Sequence, residues 1–214
     1  MEYLPVFDIT GLLEIKHKDI YVGRFAPYLK LQHKLSVPHG HSFYHIVFFT
    51  KGAGWHTIDF YQFEVKPFQI YFMIPGQIHN WNFEGIVDGY VINFSDIFFQ
   101  SFLLKADYIE DFDFFQGITN NSVIDIPKSL QSKIVKHFED MLAVKIGSGD
   151  YGIDKLRVLI LLLFHEISEL NSKKTETNDS SNNLKLLRSF QGLIEKHYKK
   201  IKLPNEYAKM IFVT

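Results

Sequence analysis

Four histidines lie in two short segments whose spacing can bring their imidazole rings together. The first segment reads Pro-His-Gly-His-Ser-Phe-Tyr-His and carries His39, His41 and His45, and the second reads Pro-Gly-Gln-Ile-His-Asn-Trp and carries His79 and Trp81. Side chains alternate between the two faces of an extended strand, so positions 39, 41 and 45 share one face. The Pro-Gly turn before His79 can return the chain beside them. This cluster either lines a binding pocket or holds a metal ion.

The metal alternative has a defined ligand set. Three or four imidazoles can bind zinc, iron or manganese, often together with a carboxylate, and the ligands here would be His39, His41, His45 and His79. We favour the other alternative, because a histidine near an apolar face is more often a hydrogen-bonded polar group than a metal ligand. The prediction is therefore a small-molecule pocket in which these four histidines and Trp81 bind the ligand, without a cofactor.

The composition narrows the class of protein. The net charge is −1, so no overall positive field attracts nucleic acid or anionic lipid. The sequence contains no cysteine, which excludes disulfides and thiolate chemistry. It also lacks Gly-x-Gly-x-x-Gly, Walker-type and Gly-x-Ser-x-Gly motifs, so we predict no catalytic residues and no enzyme. With no leader-like N-terminus and no apolar run long enough to cross a bilayer, a cytoplasmic protein is expected.

The elements that must position the histidines fall into two regions. Short aromatic and β-branched segments separated by turns predict strands over residues 20–25, 44–50, 54–60, 69–74 and 89–94. Strands spaced this evenly without helices between them favour an antiparallel sandwich or barrel. Helical spacing then predicts helices over residues 128–146 and 151–170. The second helix carries a broad apolar stripe, and we predict that it forms a homodimer contact through Leu156, Leu159, Ile160, Leu163 and Ile167.

A polar segment divides the chain. Residues 171–183 contain no apolar side chain and are predicted to be a linker. An amphipathic helix over residues 184–198 and a short helix near residues 206–211 follow it. The predicted domains are therefore residues 1–170, a linker over residues 171–183 and a second module over residues 184–214.

The histidine motifs resemble those of the cupin superfamily. In metal-binding cupins the first motif carries His-x-His followed by a glutamate, and the second motif carries the last histidine. His39, His41 and His79 match this pattern, whereas His45 stands at the glutamate position. The resemblance covers about residues 35–95 and implies a cupin-like antiparallel β-barrel. The missing carboxylate is a further reason to favour a metal-free pocket.

The order of the whole chain resembles the AraC-type transcription regulators. A cupin-like barrel, two helices, a polar linker and the beginning of a helical module follow one another as in that family. The tail, with Leu186-Leu187-Arg188-Ser189-Phe190 and later Tyr207-Ala208-x-Met210, looks like the opening of the family's helix-turn-helix domain. The major-groove helix of that domain is expected after Thr214, so the second module is read as a truncated helix-turn-helix domain.

The resemblance implies a function. The chain would be the effector-binding and dimerisation part of a bacterial regulator, in which a small molecule in the barrel modulates sequence-specific DNA binding by the full-length parent. The alternative is a mononuclear metal-dependent cupin enzyme, a dioxygenase or isomerase, with the four histidines as ligands. The tail favours the regulator, because such an enzyme has no need of a linker followed by part of a helix-turn-helix.

Overall fold

Two five-stranded sheets form the main part of the fold. The structure is a computed structural model that describes residues 4–12, 17–31, 37–105, 107–145, 151–172 and 180–212. Within these ranges the strands are β1 (Val6–Phe7), β2 (Ile20–Arg24), β3 (His39–His41), β4 (Tyr44–Lys51), β5 (Gly54–Ile58), β6 (Tyr61–Glu64), β7 (Gln69–Met73), β8 (Ile78–Phe83), β9 (Asp88–Phe94) and β10 (Val123–Asp125). The first sheet has the order β1-β3-β8-β5-β6 and the second the order β10-β7-β4-β9-β2.

The sheets form a cupin-like β-sandwich, which confirms the predicted fold class with one correction. Neighbouring strands pair antiparallel, except that β1 pairs parallel with β3. A closed barrel requires the outermost strands to pair with one another. Among the described residues the outer strands β1 and β6 of one sheet do not pair with β10 and β2 of the other. The architecture is therefore two open sheets packed face to face rather than the closed barrel predicted from the sequence.

The second sheet is covered on both of its faces. In β4 the side chains of Val47 and Phe49 join the core between the sheets, whereas Phe48 stacks on Phe138 of a helix outside the sandwich, with ring centroids 5.2 Å apart. All three side chains are fully buried. Burial on both faces explains why this strand is an unbroken apolar run rather than an alternating one. By contrast, β5 alternates between buried and exposed positions, because only one face of its sheet contacts the core.

Phe138 and Phe164, which lie on two different helices, pack against the outer face of the second sheet. The helices are α1 (Ile9–Leu12), α2 (Phe25–Leu31), α3 (Gln131–Leu142), α4 (Tyr151–Ser172), α5 (Ser180–His197) and α6 (Pro204–Met210). The predicted helices over residues 128–146 and 151–170 thus correspond to α3 and α4, each with shifted ends. In the described ranges no helix combines the length and the apolar character needed to cross a bilayer.

The chain divides into two units, Met1–Ser168 and Glu169–Thr214. The second unit contains α5 and α6, where the rings of Phe190 and Tyr207 meet edge to face at 5.7 Å. Of the predicted linker, residues 173–179 lie outside the described residues, while residues 171–172 end α4 and residues 180–183 begin α5. The domain boundaries stay a prediction.

Candidate functional site

Five histidines occupy inward-facing positions of the sandwich. β3 carries His39 and His41, β4 carries His45, β5 carries His56 and β8 carries His79. Each has at most 2% of its surface exposed. His39 lies directly opposite His79 in the register of β3 and β8, and opposite residues of an antiparallel pair share one face. We call these five residues the histidine cluster.

The chain passes from one sheet to the other inside the first histidine motif. Residues 39–41 form β3 of the first sheet, and β4 of the second sheet begins at Tyr44. The sequence predicted that His41 and His45 share one strand. In the structure they lie on different strands and approach each other across the sandwich, with ring centroids 4.9 Å apart. The predicted proximity results from the packing of two sheets, not from the alternation of one strand.

The rings of the cluster are in direct contact. The ring centroid of His79 lies 4.3 Å from that of His39 and 4.8 Å from that of His41. One ring nitrogen from each of these three residues lies within 4.8 Å of the other two. Trp81 follows on the same face of β8, and its ring lies 4.9 Å from His79 and 5.6 Å from His56. The structure thus brings together every residue that the sequence predicted for ligand binding.

Three histidines form a hydrogen-bonded chain. His79 Nε2 is 2.7 Å from His41 Nε2, and His79 Nδ1 is 3.0 Å from His56 Nε2. A neutral imidazole has one donor and one acceptor nitrogen, so the protons along this chain all point the same way. Within the described residues the outer nitrogens, His41 Nδ1 and His56 Nδ1, have no hydrogen-bond partner. One end of the chain therefore presents an unpaired N–H and the other an unpaired lone pair.

The other two histidines, His39 and His45, each form a hydrogen bond through Nδ1 to an oxygen acceptor. His39 Nδ1 is 2.8 Å from the carbonyl oxygen of Val37, and His45 Nδ1 is 2.6 Å from Asn93 Oδ1. Both oxygens accept hydrogen bonds, so Nδ1 carries the proton and Nε2 carries a lone pair in the neutral ring. As far as the chain is described, both Nε2 atoms are buried without a partner. Two lone pairs are therefore available inside the cluster.

The cluster is uncharged at neutral pH. Burial lowers the pKa of all five histidines, because the imidazolium form would lose its hydration. For His45 burial, opposed by the hydrogen bond to Asn93, lowers the pKa to about 3. The pKa of His79 is well below its usual value because of burial and, secondarily, repulsion by the other histidines. Neutral rings can donate and accept hydrogen bonds or bind a metal.

We expect Asn93→Leu to destabilise the sandwich by about 1–3 kcal/mol, because the N–H of buried His45 would lose its acceptor. The free energy of unfolding, measured with urea, tests this. Asn82→Leu, at an exposed position of β8, is the control and is expected to change stability by less than about 0.5 kcal/mol. Equal effects of the two substitutions would contradict the role given to Asn93.

Two members of the site were missed by the sequence analysis. His56 and Asn93 lie outside both histidine motifs and become neighbours of the cluster only through strand pairing, His56 opposite Trp81 and Asn93 opposite His45. A usable signal exists for each of them. His56 is a polar residue at a position where the alternation of β5 predicts burial, and Asn93 interrupts the apolar end of β9.

The predicted dimerisation residues lie mostly inside this chain's own core. Leu156, Ile160, Leu163 and Ile167 are at most 1% exposed, whereas Leu159 is only partly buried. The exposed apolar residues of α4 are instead Tyr151, Val158 and Leu162, exposed to 91%, 53% and 44%. The four buried residues stabilise the chain's own fold. A dimer contact through α4 would have to use the other side of this helix.

The family of the chain follows from a comparison of its sequence with known protein families. The family profile described as AraC-like ligand binding domain matches residues 29–143, a range that includes the entire histidine cluster. No curated protein matches the sequence.

Two solved structures that match the chain are CuxR and ToxT. The AraC-like transcriptional activator CuxR is 10% identical, with a TM-score of 0.41, and the match covers 92% of this chain and 64% of that chain. ToxT from Vibrio cholerae is 10% identical, with a TM-score of 0.43 and coverage of 92% and 72%. This chain therefore spans about two thirds of the length of CuxR. Because the family profile matches more than half of the sequence, the chain belongs to the family of AraC-like ligand-binding domains.

Proposed function

We propose that this chain is the ligand-sensing and dimerisation part of a DNA-binding transcription regulator. A small-molecule effector binds between the sheets at His39, His41, His45, His79 and Trp81 and modulates DNA binding by the full-length parent. The helices α5 and α6 are the beginning of the helix-turn-helix module. The observation that carries the proposal is the position of the buried histidine cluster within the segment that matches a ligand-binding domain.

Unpaired polar atoms support a ligand at the cluster. Among the described residues the indole Nε1–H of Trp81 is buried without an acceptor, and the hydrogen-bonded histidine chain ends in one more unpaired N–H. A buried donor without an acceptor costs about 1–3 kcal/mol. Acceptor atoms of an effector would satisfy both donors at once. Effectors that carry hydroxyl, carbonyl or carboxylate oxygens are therefore the expected class.

Trp81 provides a direct probe of effector binding. The chain has two tryptophans, and Trp55 is 39% exposed on the neighbouring strand. In the Trp55→Phe variant the fluorescence therefore reports on Trp81 alone. Sugars and small aromatic acids would be screened by thermal shift and then by this fluorescence. An effector at 100 times its Kd is expected to stabilise the protein by about 2.7 kcal/mol and to change the emission of Trp81.

The same compound must then change the DNA affinity of the full-length parent. His45→Gln is expected to weaken its binding, because His45 Nε2 faces the cluster as a free acceptor. A compound that stabilises the protein but leaves both the Trp81 emission and the His45→Gln affinity unchanged would place the effector site elsewhere. A compound that binds at Trp81 without changing DNA affinity would argue against regulation through this site.

For dimerisation we propose the exposed side of α4. Val158 and Leu162 are one helical turn apart and present apolar surface to solvent, and two-fold pairing is the commonest assembly of such surfaces. We expect a homodimer at tens of micromolar, and we expect Val158→Asp with Leu162→Asp to raise the dimer Kd by more than about 100-fold, because unpaired charges would be buried. Sedimentation equilibrium measures this.

Ile86 offers a matched control for the dimer variant. It is 72% exposed in the connection between β8 and β9, away from α4. Ile86→Asp adds a charge at an exposed apolar position and is expected to leave the dimer intact. Dissociation caused equally by Ile86→Asp, or a monomer in the unaltered protein at these concentrations, would be evidence against the α4 interface.

A further inference from the structure

We propose that α2 is the movable cover through which the effector reaches the histidine cluster, and that Asp88 is the residue that holds this cover closed. The inference rests on the proposed function, because it concerns the same site. Its test uses a thiol reagent on the protein without an effector, so its failure can be told apart from a failure of the proposed function.

The effector site is closed in this structure. The four histidines that were predicted to bind the effector are at most 2% exposed, and Trp81 is 5% exposed. The ring of His79 is in contact with those of His41 and Trp81. Pockets for organic ligands have volumes on the order of 300 Å³ or more. A segment that covers the cluster must therefore move before an organic molecule can reach these rings.

The helix α2 borders the cluster and contacts both sheets. Phe25 packs edge to face on Trp81 of the first sheet, with ring centroids 5.4 Å apart, and on Phe49 of the second sheet at 5.2 Å. Tyr28 lies on the same side of the helix, with its ring 6.0 Å from that of His45. Phe25 and Tyr28 are both fully buried. α2 thus places one aromatic ring beside each of two predicted effector-binding residues, Trp81 and His45.

The strand β1 also covers the cluster, since the ring of Phe7 lies 5.5 Å from that of His39, but its backbone is tied to the chain at β3. The N–H of Gly40 donates to the carbonyl oxygen of Pro5 at 2.9 Å, and the N–H of Ser42 donates to that of Phe7 at the same distance. Among the described residues α2 has no backbone hydrogen bond to another element. Because a helix satisfies its backbone internally, α2 can move as a unit at a lower cost than β1.

One carboxylate holds the beginning of α2. Asp88 Oδ1 accepts a hydrogen bond from the backbone N–H of Ala26 at 3.3 Å, and Asp88 Oδ2 accepts one from Arg24 at 2.6 Å. The side chains of Arg24 and Asp88 are 39% and 29% exposed. Ion pairs that water can reach stabilise only weakly, because the solvent screens them. This anchor therefore favours the closed position of α2 without fixing it.

The inner side of α2 has one polar contact with the sheet. The hydroxyl oxygen of Tyr28 accepts a hydrogen bond from Asn93 Nδ2, and at 3.4 Å this bond is long. The helix is thus held on this side mainly by the burial of its two aromatic rings. An effector that lies beside His45 and Trp81 would give these rings a new apolar contact in place of the one that opening removes.

Thiol labelling can measure the opening of α2, because the chain has no cysteine of its own. The rings of α2 contact His45 and Phe49 of β4, and Val47, midway between these two residues, lies opposite Val91 of β9. Val91 is fully buried in the core between the sheets. The thiol introduced by Val91→Cys should therefore react with iodoacetamide only when α2 has moved away.

We expect Asp88→Asn to raise the labelling rate in the Val91→Cys protein by about 3- to 10-fold, because the loss of the anchor's charge increases the population of the open form. Met73→Cys provides the control probe. Met73 is 1% exposed in the same core, on β7, which is separated from β9 by β4. Asp88→Asn should leave the labelling rate of the Met73→Cys protein unchanged. No increase in the Val91→Cys protein, or equal increases in both proteins, would overturn the proposal.

The variant Phe7→Ala tests entry past β1 instead. It should raise the labelling rate of the Val91→Cys protein less than Asp88→Asn does, and a larger increase would assign the entrance to β1 and overturn the proposal.

A comparison without an anchor variant covers the case in which Asp88→Asn does not fold. The Val91→Cys thiol should react faster than the Met73→Cys thiol, because only global unfolding exposes the latter. Equal rates would mean that α2 does not open by itself, and they would overturn the proposal. None of these rates depends on an effector or on DNA, whereas the proposed function fails only if no effector binds at Trp81 or if binding leaves DNA affinity unchanged.

Discussion

The protein is expected to unfold when the pH is lowered from 7 to about 5. Burial lowers the folded-state pKa of His41, His45, His56 and His79, whereas the unfolded chain binds these protons near pH 6.5. Below pH 6.5 the unfolded state thus binds more protons, and stability falls with pH. Four such groups cost about 5 kcal/mol per pH unit. A typical domain stability of about 5–15 kcal/mol would be lost within one to three pH units.

The dependence of the free energy of unfolding on pH tests this prediction. Each histidine contributes about 1.4 kcal/mol per pH unit wherever the pH lies below its unfolded pKa and above its folded pKa. His56→Gln should therefore reduce the slope by about a quarter. Thr57→Val, one residue further along β5 and without a titratable group, should leave it unchanged. Urea unfolding at several pH values measures the slope, and constant stability between pH 7 and pH 5 would falsify the prediction.

The three central strands of the second sheet could be predicted from the sequence because they are chemically distinct, whereas β10 at its edge was not predicted. β4, β7 and β9 are apolar runs bounded by turns, and they match the predicted strands at residues 44–50, 69–74 and 89–94 closely. β6 is different, because its four residues Tyr61–Glu64 are mostly exposed. A strand that buries little surface gives a weak hydrophobic pattern, and its pairing with β5 is fixed by the turn between them.

Assembly of the cluster depends on long-range pairing, which periodicity does not encode. The spacing of the histidine motifs predicted that His39, His41, His45 and His79 meet, and they do. The choice between a barrel and a sandwich depends on which outer strands pair, and no residue pattern in β1, β6, β10 or β2 specifies that. The inclusion of His56 depends on the register between β5 and β8. Local patterns thus predicted that the histidines of the two motifs meet, but not that His56 and Asn93 lie beside them.

The helix α4 shows a related limit of periodicity. Its apolar residues cover more than one side of the helix. The sequence therefore indicates both a core contact and a dimer contact, but it does not show which residues form which of them. The structure assigns Leu156, Ile160, Leu163 and Ile167 to the core and leaves Val158 and Leu162 exposed. Phe164 lies on the core side as well and is fully buried.

Phe164→Ala is expected to destabilise the first unit by about 3–5 kcal/mol, the range for removing a fully buried phenylalanine. Its ring lies in an aromatic layer between α4 and the second sheet, with centroids at 5.1–6.4 Å from six other rings, those of Phe72, Phe94, Phe99, Phe112, Phe114 and Phe115. A cavity at this place also loosens the support of the sheet that carries His45. Urea unfolding measures the loss of stability.

Leu162→Ala is the control for Phe164→Ala and separates core packing from dimerisation. Leu162 is two residues away and 44% exposed, so in the monomer its truncation should cost less than about 0.5 kcal/mol. The loss caused by Phe164→Ala should be the same at every protein concentration, because the contacts lie within one chain. The loss caused by Leu162→Ala should grow where the dimer is populated, since association stabilises the folded state. A concentration-dependent loss for Phe164→Ala, or a large loss for Leu162→Ala in the monomer, would reverse the assignment of the two sides of α4.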